Sequence, residues 1–335
     1  MLNSKHLIPQ SVQRHLNVCL CTLLLLFTVT ACRHNDRYPV SFHRFERLLF
    51  TTDAANLRPT LAAHLTEYNS PLLNVAPDDE RFMTMLGEFV ADPVMRDIYR
   101  ITDSLYPDLG WLEEELGTAL ARANKICPAI APQHFYTLVT GDLDDYGNRV
   151  FCNETDLAIS LDHYAVGAME RYQYFGLPAY IVNLCKKEYI VVDCMAELIR
   201  GQVQLADGDP TLLDYMIAEG KTLYLLGECL PQTPDSLLLR YTQQQMRWIQ
   251  DNESQVWAWL IQNKMLYSTD LKQFHNLIDE APKTNAFGND SAPRSTSYLG
   301  WQIVKQYMKK SGSSVVDLLA ETDSRKILTQ SAWRP

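Results

Sequence analysis

Glu197 stands in the middle of an eleven-residue stretch, Val191-Val192-Asp193-Cys194-Met195-Ala196-Glu197-Leu198-Ile199-Arg200-Gly201. A helix with His-Glu-x-x-His at such a place holds zinc between two imidazoles and uses the glutamate as a general base. Here the frame is Ala196-Glu197-Leu198-Ile199-Arg200, so neither imidazole is present. At 100° per residue, Val191, Val192, Met195, Leu198, Ile199 and Val203 gather on one side. Glu197 and Arg200 fall on the other, with Ala196 at the border. An ordinary amphipathic packing helix has the same layout, so the helix alone does not choose between a site and a solvated face.

Other familiar chemistries are missing from the sequence. The histidines beyond residue 31 are His34, His43, His64, His134, His163 and His275, and no two stand three or four apart. There is no G-x-S-x-G elbow and no glycine-rich phosphate loop. Asp142–Gly147, "DLDDYG", opens like a calcium loop. Its fifth position is Tyr146 and its twelfth is Asn153, where such a loop needs an oxygen donor and a bidentate Glu. A polar hairpin turn is the simpler reading. Cys127, Cys152, Cys185, Cys194 and Cys229 include no C-x-x-C pair. They allow two disulfides at most, or five free thiols.

The N-terminus reads as an export signal. Lys5 and Arg14 precede the apolar run "VCLCTLLLLFTVT", which is shorter than the roughly 20 residues of a membrane span. It ends in Val29-Thr30-Ala31-Cys32, the pattern of a lipobox whose cysteine is acylated. Residues 1–31 are expected to form a lipoprotein signal peptide, 32–39 a short lipidated tether, and 40–335 a single domain. The folded body should then sit close to the membrane that holds Cys32. The full chain carries a net charge of −10, and removing residues 1–31, with two basic residues and no acid, deepens it to −12. That balance disfavours nucleic acid as a partner.

The elements that must position any site are mostly helical. Val40 and Phe42 alternate, and Phe45, Leu48 and Leu49 then recur with helical spacing. Phe82, Leu86, Phe89 and Val90 share a face. Asp92-Pro93 is a cap followed by a first-turn proline. Trp111, Leu112, Leu116 and Leu120 make another stripe. "FYTLVTG" and "RVFCNETDLAISLD" change to strand period and flank "DLDDYGN", which reads as strand–turn–strand. Asp209-Pro210 starts a helix with Leu212, Leu213, Met216, Ile217, Leu223 and Tyr224 inward, and Gly227 suits its end. Asp235 can cap the next helix, and a long helical stretch through Trp248 to Met265 follows. Another helix ends at Lys309, Lys310 and Gly312. The expected fold is α+β and predominantly helical, around a small mixed sheet.

Several words of the C-terminal half carry more. "LLDYMIAEGKTLYLL", "RYTQQQMRWIQDNESQVWAWLIQNKMLYSTD" and "SAPRSTSYLGWQIVKQYM" resemble the gliding-motility lipoprotein family GldB of the Bacteroidota. "ISLDHYAVG", "LPAYIV" and "VSFHRFERLLF" agree with it, so the resemblance covers most of the chain beyond the signal. The loop before "STSYLGW" departs from it: Ala292-Pro293-Arg294 stands for the family's proline-glycine-arginine.

The GldB family in turn resembles zincin-type peptidases, in which a second helix supplies a Glu-Gly pair as the third zinc ligand. Glu219-Gly220 stands at that place. The resemblance therefore implies a degenerate zincin-like architecture with a vestigial site at Ala196, Glu197, Arg200 and Glu219. It implies no catalytic residue, no metal and no cofactor. It implies a lipid-anchored, periplasm-facing outer-membrane protein that serves gliding motility or an associated envelope or secretion machinery. Its partners would be the membrane, through Cys32, and envelope proteins. The competing readings are an envelope hydrolase of peptide or glycan with an atypical site, and a carbohydrate binder using exposed Trp and Tyr.

Overall fold

The computed structural model describes residues 37–143, 146–169 and 177–335. Cys32 and the expected signal peptide lie outside the described residues. Residues 38–335 form one compact unit. Strand β1 (Phe42–Arg44) runs straight into helix α1 (Phe45–Thr51), which buries Phe45, Leu49 and Phe50. Helix α2 (Glu80–Ala91) is capped by Asp79. Helix α3 (Pro93–Leu105) is capped by Asp92, whose side chain accepts from the amides of Val94 and Met95, with Pro93 in the first turn as expected. Helix α4 (Gly110–Ile126) turns Leu112, Leu116 and Leu120 fully inward.

Strands β2 (His134–Leu138), β3 (Val150–Cys152) and β4 (Asp156–Ser160) complete a four-stranded sheet in the order β1-β2-β4-β3. β1 with β2 and β2 with β4 are parallel, and β3 with β4 is antiparallel. The sheet is therefore mixed, and the fold is α+β and predominantly helical, as the sequence indicates.

The strand–turn–strand reading around "DLDDYGN" is corrected. β2 does not pair with β3. The hairpin is β3–β4, and its turn is Asn153–Thr155. Asn153 makes that turn itself: its side-chain oxygen accepts from the amides of Thr155 and Asp156, both at 2.8 Å. The segment after β2 is instead gathered by Asp162, whose Oδ2 accepts from the amides of Thr140 and Gly141 at 3.1 and 2.8 Å.

The site in the second half is framed by a series of helices. Helix α5 (Ile190–Arg200) holds Glu197, and helix α6 (Leu212–Cys229) holds Glu219. α7 (Gln243–Gln262), α8 (Leu271–Ile278) and α9 (Ser295–Ser311) follow. Three expected boundaries move. α6 begins after Thr211 rather than at Asp209-Pro210, because Thr211 and Asp214 form a reciprocal capping box. It runs through Gly227 to Cys229, and Gly227 lies against the Trp301 ring instead of ending the helix. Asp235 opens only a four-residue helix and pairs with Lys305. The long helix α7 starts from a second capping box, Thr242 with Gln245. The end of α9 is as expected: Lys309 and Lys310 in the last turn, then Gly312 at φ 65°.

α6 and α9 cross at their glycines. A Cβ on Gly220 would overlap the Gly300 carbonyl and stand 2.9 Å from the Trp301 nitrogen. A Cβ on Gly300 would overlap the Met216 carbonyl. Backbone meets backbone at this crossing, and no rotamer can relieve an added methyl. Gly300→Ala is expected to cost about 3 kcal/mol or more, above the usual range for overpacking because backbone must move. Urea melts check it; a loss under about 1 kcal/mol would mean that the helices can slide apart freely.

Candidate functional site

Helix α5 carries more than the sequence reading took from it. Nine of its residues are buried, and one of them is Asp193, 3 % exposed. A carboxylate inside a protein must be paired or it loses its charge. Asp193 Oδ2 accepts from Arg149 Nε at 2.6 Å and from the Tyr164 hydroxyl at 2.8 Å. Its Oδ1 accepts from Arg240 Nη2. Burial by itself raises this carboxyl. Arg240, Arg149 and the hydrogen bonds outweigh burial, and the net direction is downward.

From Asp193 the charges alternate outward. Arg240 Nη1 stands 3.7 Å from Glu280 Oε2, and Arg294 Nε stands 3.4 Å from the same oxygen. Arg294 Nη1 reaches Glu219 Oε1 at 3.4 Å, Arg200 Nη2 stands 3.6 Å from it, and Arg200 Nη1 donates to Glu197 Oε2 at 3.1 Å. Four arginines and four carboxylates thus run from the core, at Arg149 and Asp193, to the surface, at Arg200 and Glu197. The outer pair is over a third exposed on both sides, whereas Arg240 and Arg294 are about nine-tenths buried.

The two buried arginines sit on strained backbone. Arg240 has φ 59° and Arg294 φ 42°, the left-handed region. Arg240 follows the short helix Asp235–Leu238. The Tyr241 amide bonds back to Ser236 and the Arg240 amide to Leu237, the Schellman closure that usually places glycine at residue 240. Arg294 is instead the N-cap residue of α9. The two turns clasp each other. Arg294 Nη2 donates to the Leu239 carbonyl at 2.9 Å, and the Tyr241 hydroxyl donates to the Arg294 carbonyl at 3.1 Å.

All four residues of the expected vestigial site meet here. Ala196 is buried at the base, and Glu197 and Arg200 are the solvent-facing positions of α5. Glu219 faces Arg200 from α6. The donor set does not fit a zinc ion. Between the two glutamates lies a guanidinium, which cannot give up its proton to ligate, and Ala196 offers no ligand atom. Burial would push the Glu219 carboxyl up, but Arg200, Arg294 and Arg240 together hold it below the usual glutamate range. An ionised glutamate so held is a weak proton acceptor at neutral pH.

The sequence reading missed Arg149, Asp193, Arg240, Glu280 and Arg294. Two signals pointed at them: an Asp inside the apolar run Ile190–Met195, and the Arg in the departing Ala-Pro-Arg word.

A cavity of about 330 Å³ opens beside this network, lined by Arg200, Glu219, Arg240, Glu280, Arg294 and Asp279 among others. A larger hollow of about 770 Å³ lies between α4, α5 and the end of α6. Its marked feature is Lys187 Nζ, 3.8 Å from the Trp111 ring centre. The arginine–carboxylate network converges on the smaller cavity, which is therefore the chemically organised one.

Two other clusters lack catalytic order. Asp156 lies between Ser70 Oγ at 2.6 Å and His134 Nδ1 at 2.9 Å. A nucleophilic triad needs the imidazole in the middle. Among the described residues Cys127, Cys152, Cys185, Cys194 and Cys229 are free thiols. Burial pushes Cys152 up to about 11 and Cys185 and Cys229 up to about 12, far from thiolate chemistry.

Removing Arg240 and removing Arg200 should differ sharply. Arg240→Gly relieves roughly 1–2 kcal/mol of backbone strain but leaves buried carboxylates underpaired, at roughly 3–5 kcal/mol. The expected net loss is about 2–4 kcal/mol. Arg200→Ala, in an exposed pair, should cost about 1 kcal/mol or less. Denaturant melts of both variants decide; a neutral or stabilising Arg240→Gly would show that the side chain carries no structural charge pairing.

The pH dependence follows from Glu219. Its folded pKa is depressed below an unfolded value of about 4.3. The stabilisation is therefore present above that value and lost as pH falls through the folded one. Urea midpoints from pH 6 down to 2.5 should fall less steeply below pH 4 in Glu219→Gln than in the parent. Parallel curves would mean that the carboxylate gains nothing from the three arginines.

Comparison with known proteins assigns the family. The family model described as gliding motility protein GldB matches residues 32–335, and the chain belongs to that family. No curated protein and no solved structure matches it.

Proposed function

We propose that this GldB-family chain is a lipid-anchored, periplasm-facing protein of the outer membrane. It acts by binding, as an accessory of gliding motility or of the associated envelope machinery. The family assignment over residues 32–335 carries the link to gliding motility. The anchor is Cys32, supported by the basic start, the apolar run and "VTAC". Among the described residues no helix is long and apolar enough to cross a membrane. A covalent lipid is the membrane attachment that this sequence specifies.

The non-catalytic reading rests on one observation: both glutamates of the expected site are paired with guanidiniums. Glu197 faces Arg200, and Glu219 faces Arg200 and Arg294. We read the site as a degenerate zincin-like centre, in which fixed arginine charge stands where a metal ion would otherwise balance two carboxylates. Such a centre retains a shaped, charged cavity and has no poised base. A binding role uses what remains. Crosslinking in intact cells, followed by identification of the attached proteins, tests it. Attachment to envelope proteins of the motility machinery is expected, and a chain that crosslinks to none of them in gliding cells argues against the accessory role.

Cys32→Ser tests the anchor. Cells fed a fatty-acid analogue should label the parent protein and leave the substituted one unlabelled, and the substituted chain should leave the membrane fraction. Undiminished label on Cys32→Ser would overturn the assignment.

A further inference from the structure

We infer that the cavity beside α6 and α9 is a binding site for a small zwitterion, a free amino acid or short peptide. Its carboxylate would sit on the guanidiniums of Arg294 and Arg200, and its ammonium group on Asp279. This rests on the binding role proposed above and gives that role a ligand class.

The ion pairs of Arg294 and Glu219 at the cavity are longer than the tight arginine pairs elsewhere in the protein. Arg149 holds Asp193 at 2.6 Å, Arg44 holds Glu46 at 2.7 Å, and Arg47 holds Asp103 at 2.6 Å. Those are ordinary lengths for a charge-assisted hydrogen bond. Across the cavity Arg294 stands 3.4 Å from Glu219 and 3.4 Å from Glu280, and Arg200 stands 3.6 Å from Glu219. Arg294 Nε is buried, and among the described residues it donates no hydrogen bond. Glu280 Oε2, 3.4 Å away, pairs with its charge without closing a hydrogen bond, and a buried donor whose hydrogen bond is unmade is rare in folded proteins. Arg294 is also held rigidly, by its own bond to the Leu239 carbonyl and by Tyr241, on strained backbone. Strain fixed at a cavity wall is a mark of a preorganised site.

The charge balance selects the ligand. Four arginines already face four carboxylates along the network. A bare anion would add to the repulsion from Glu219 and Glu280, and a doubly charged phosphate would add more. A zwitterion leaves the balance unchanged. Its positive end has a receptor in Asp279, an exposed carboxylate on the cavity lining that pairs with no cation among the described residues. The size agrees, since about 330 Å³ is near the lower end of small-molecule sites, about 300–1,000 Å³, and suits a ligand of dipeptide scale.

Calorimetric titration of the detergent-solubilised full chain with alanyl-alanine tests the inference. Saturable binding is expected. Amidating the carboxyl end or acetylating the amino end should each weaken it at least about tenfold, as one lost charged hydrogen bond does. Asp279→Asn is exposed and should keep the parent's melting temperature while binding the dipeptide and its N-acetyl form alike. Arg294→Lys should weaken binding at least about tenfold. Because Arg294 also supports the fold, the half-exposed Arg200→Gln serves as the second variant and should weaken binding of the free carboxylate without affecting the amide. No saturation at millimolar dipeptide, indifference to both caps, or equal affinity for inorganic phosphate would each overturn the inference. A chain that still crosslinks to envelope proteins in cells but takes up no dipeptide refutes the ligand class alone.

Discussion

A single buried carboxylate, Asp193, sets the terms for the C-terminal half of this protein. Taking that charge out of water is costly by several kcal/mol, and only close cations with good geometry offset it. Arg149 comes from the helical turn just before β3, Tyr164 from the segment after β4, and Arg240 from the turn before α7. Three distant parts of the sequence are thereby required to meet on one helix. Arg240 must also adopt a backbone conformation in which glycine is at ease. The turn could close with glycine; the charge at Asp193 could not be balanced by it.

The outer part of the network follows from that inner pairing and from the α6–α9 crossing. Gly220 and Gly300 let the two backbones touch, which fixes Glu219, the neighbour of Gly220, opposite Arg294 at the start of α9. The guanidinium of Arg294 then lies between Glu219 and Glu280, and Arg200 lies between Glu219 and Glu197. Positive and negative groups alternate from core to solvent, and the arginines hold Asp193 and Glu219 in their charged forms against the effect of burial. That arrangement is stiff inside and adaptable outside. In the binding role proposed above, it would serve as a wall against which a polar ligand or partner docks.

Membership of the GldB family sets a biological frame, gliding motility, around this chemistry. The words that carry the resemblance lie largely on α6, α7 and α9, and of these α6 and α9 line the cavity together with the ends of α5 and α8. The word that departs, Ala292-Pro293-Arg294, contributes the most constrained cation of the network.

The sequence by itself determined the helical character, the change of period at the sheet and the capping of α3 and α9. Those features are local: a periodic stripe, an Asp before a Pro, a Gly after lysines. It also placed Ala196, Glu197, Arg200 and Glu219 together, through a resemblance rather than through spacing. It did not determine which strands pair. β2 and β4 meet in parallel across the intervening β3, and no local pattern encodes that choice. Nor did it mark Arg149, Arg240, Glu280 and Arg294 as one network, since they lie far apart along the chain. Each reads alone as a solvated surface charge. Only tertiary packing removed them from water, and a charge removed from water has to find its counter-charge.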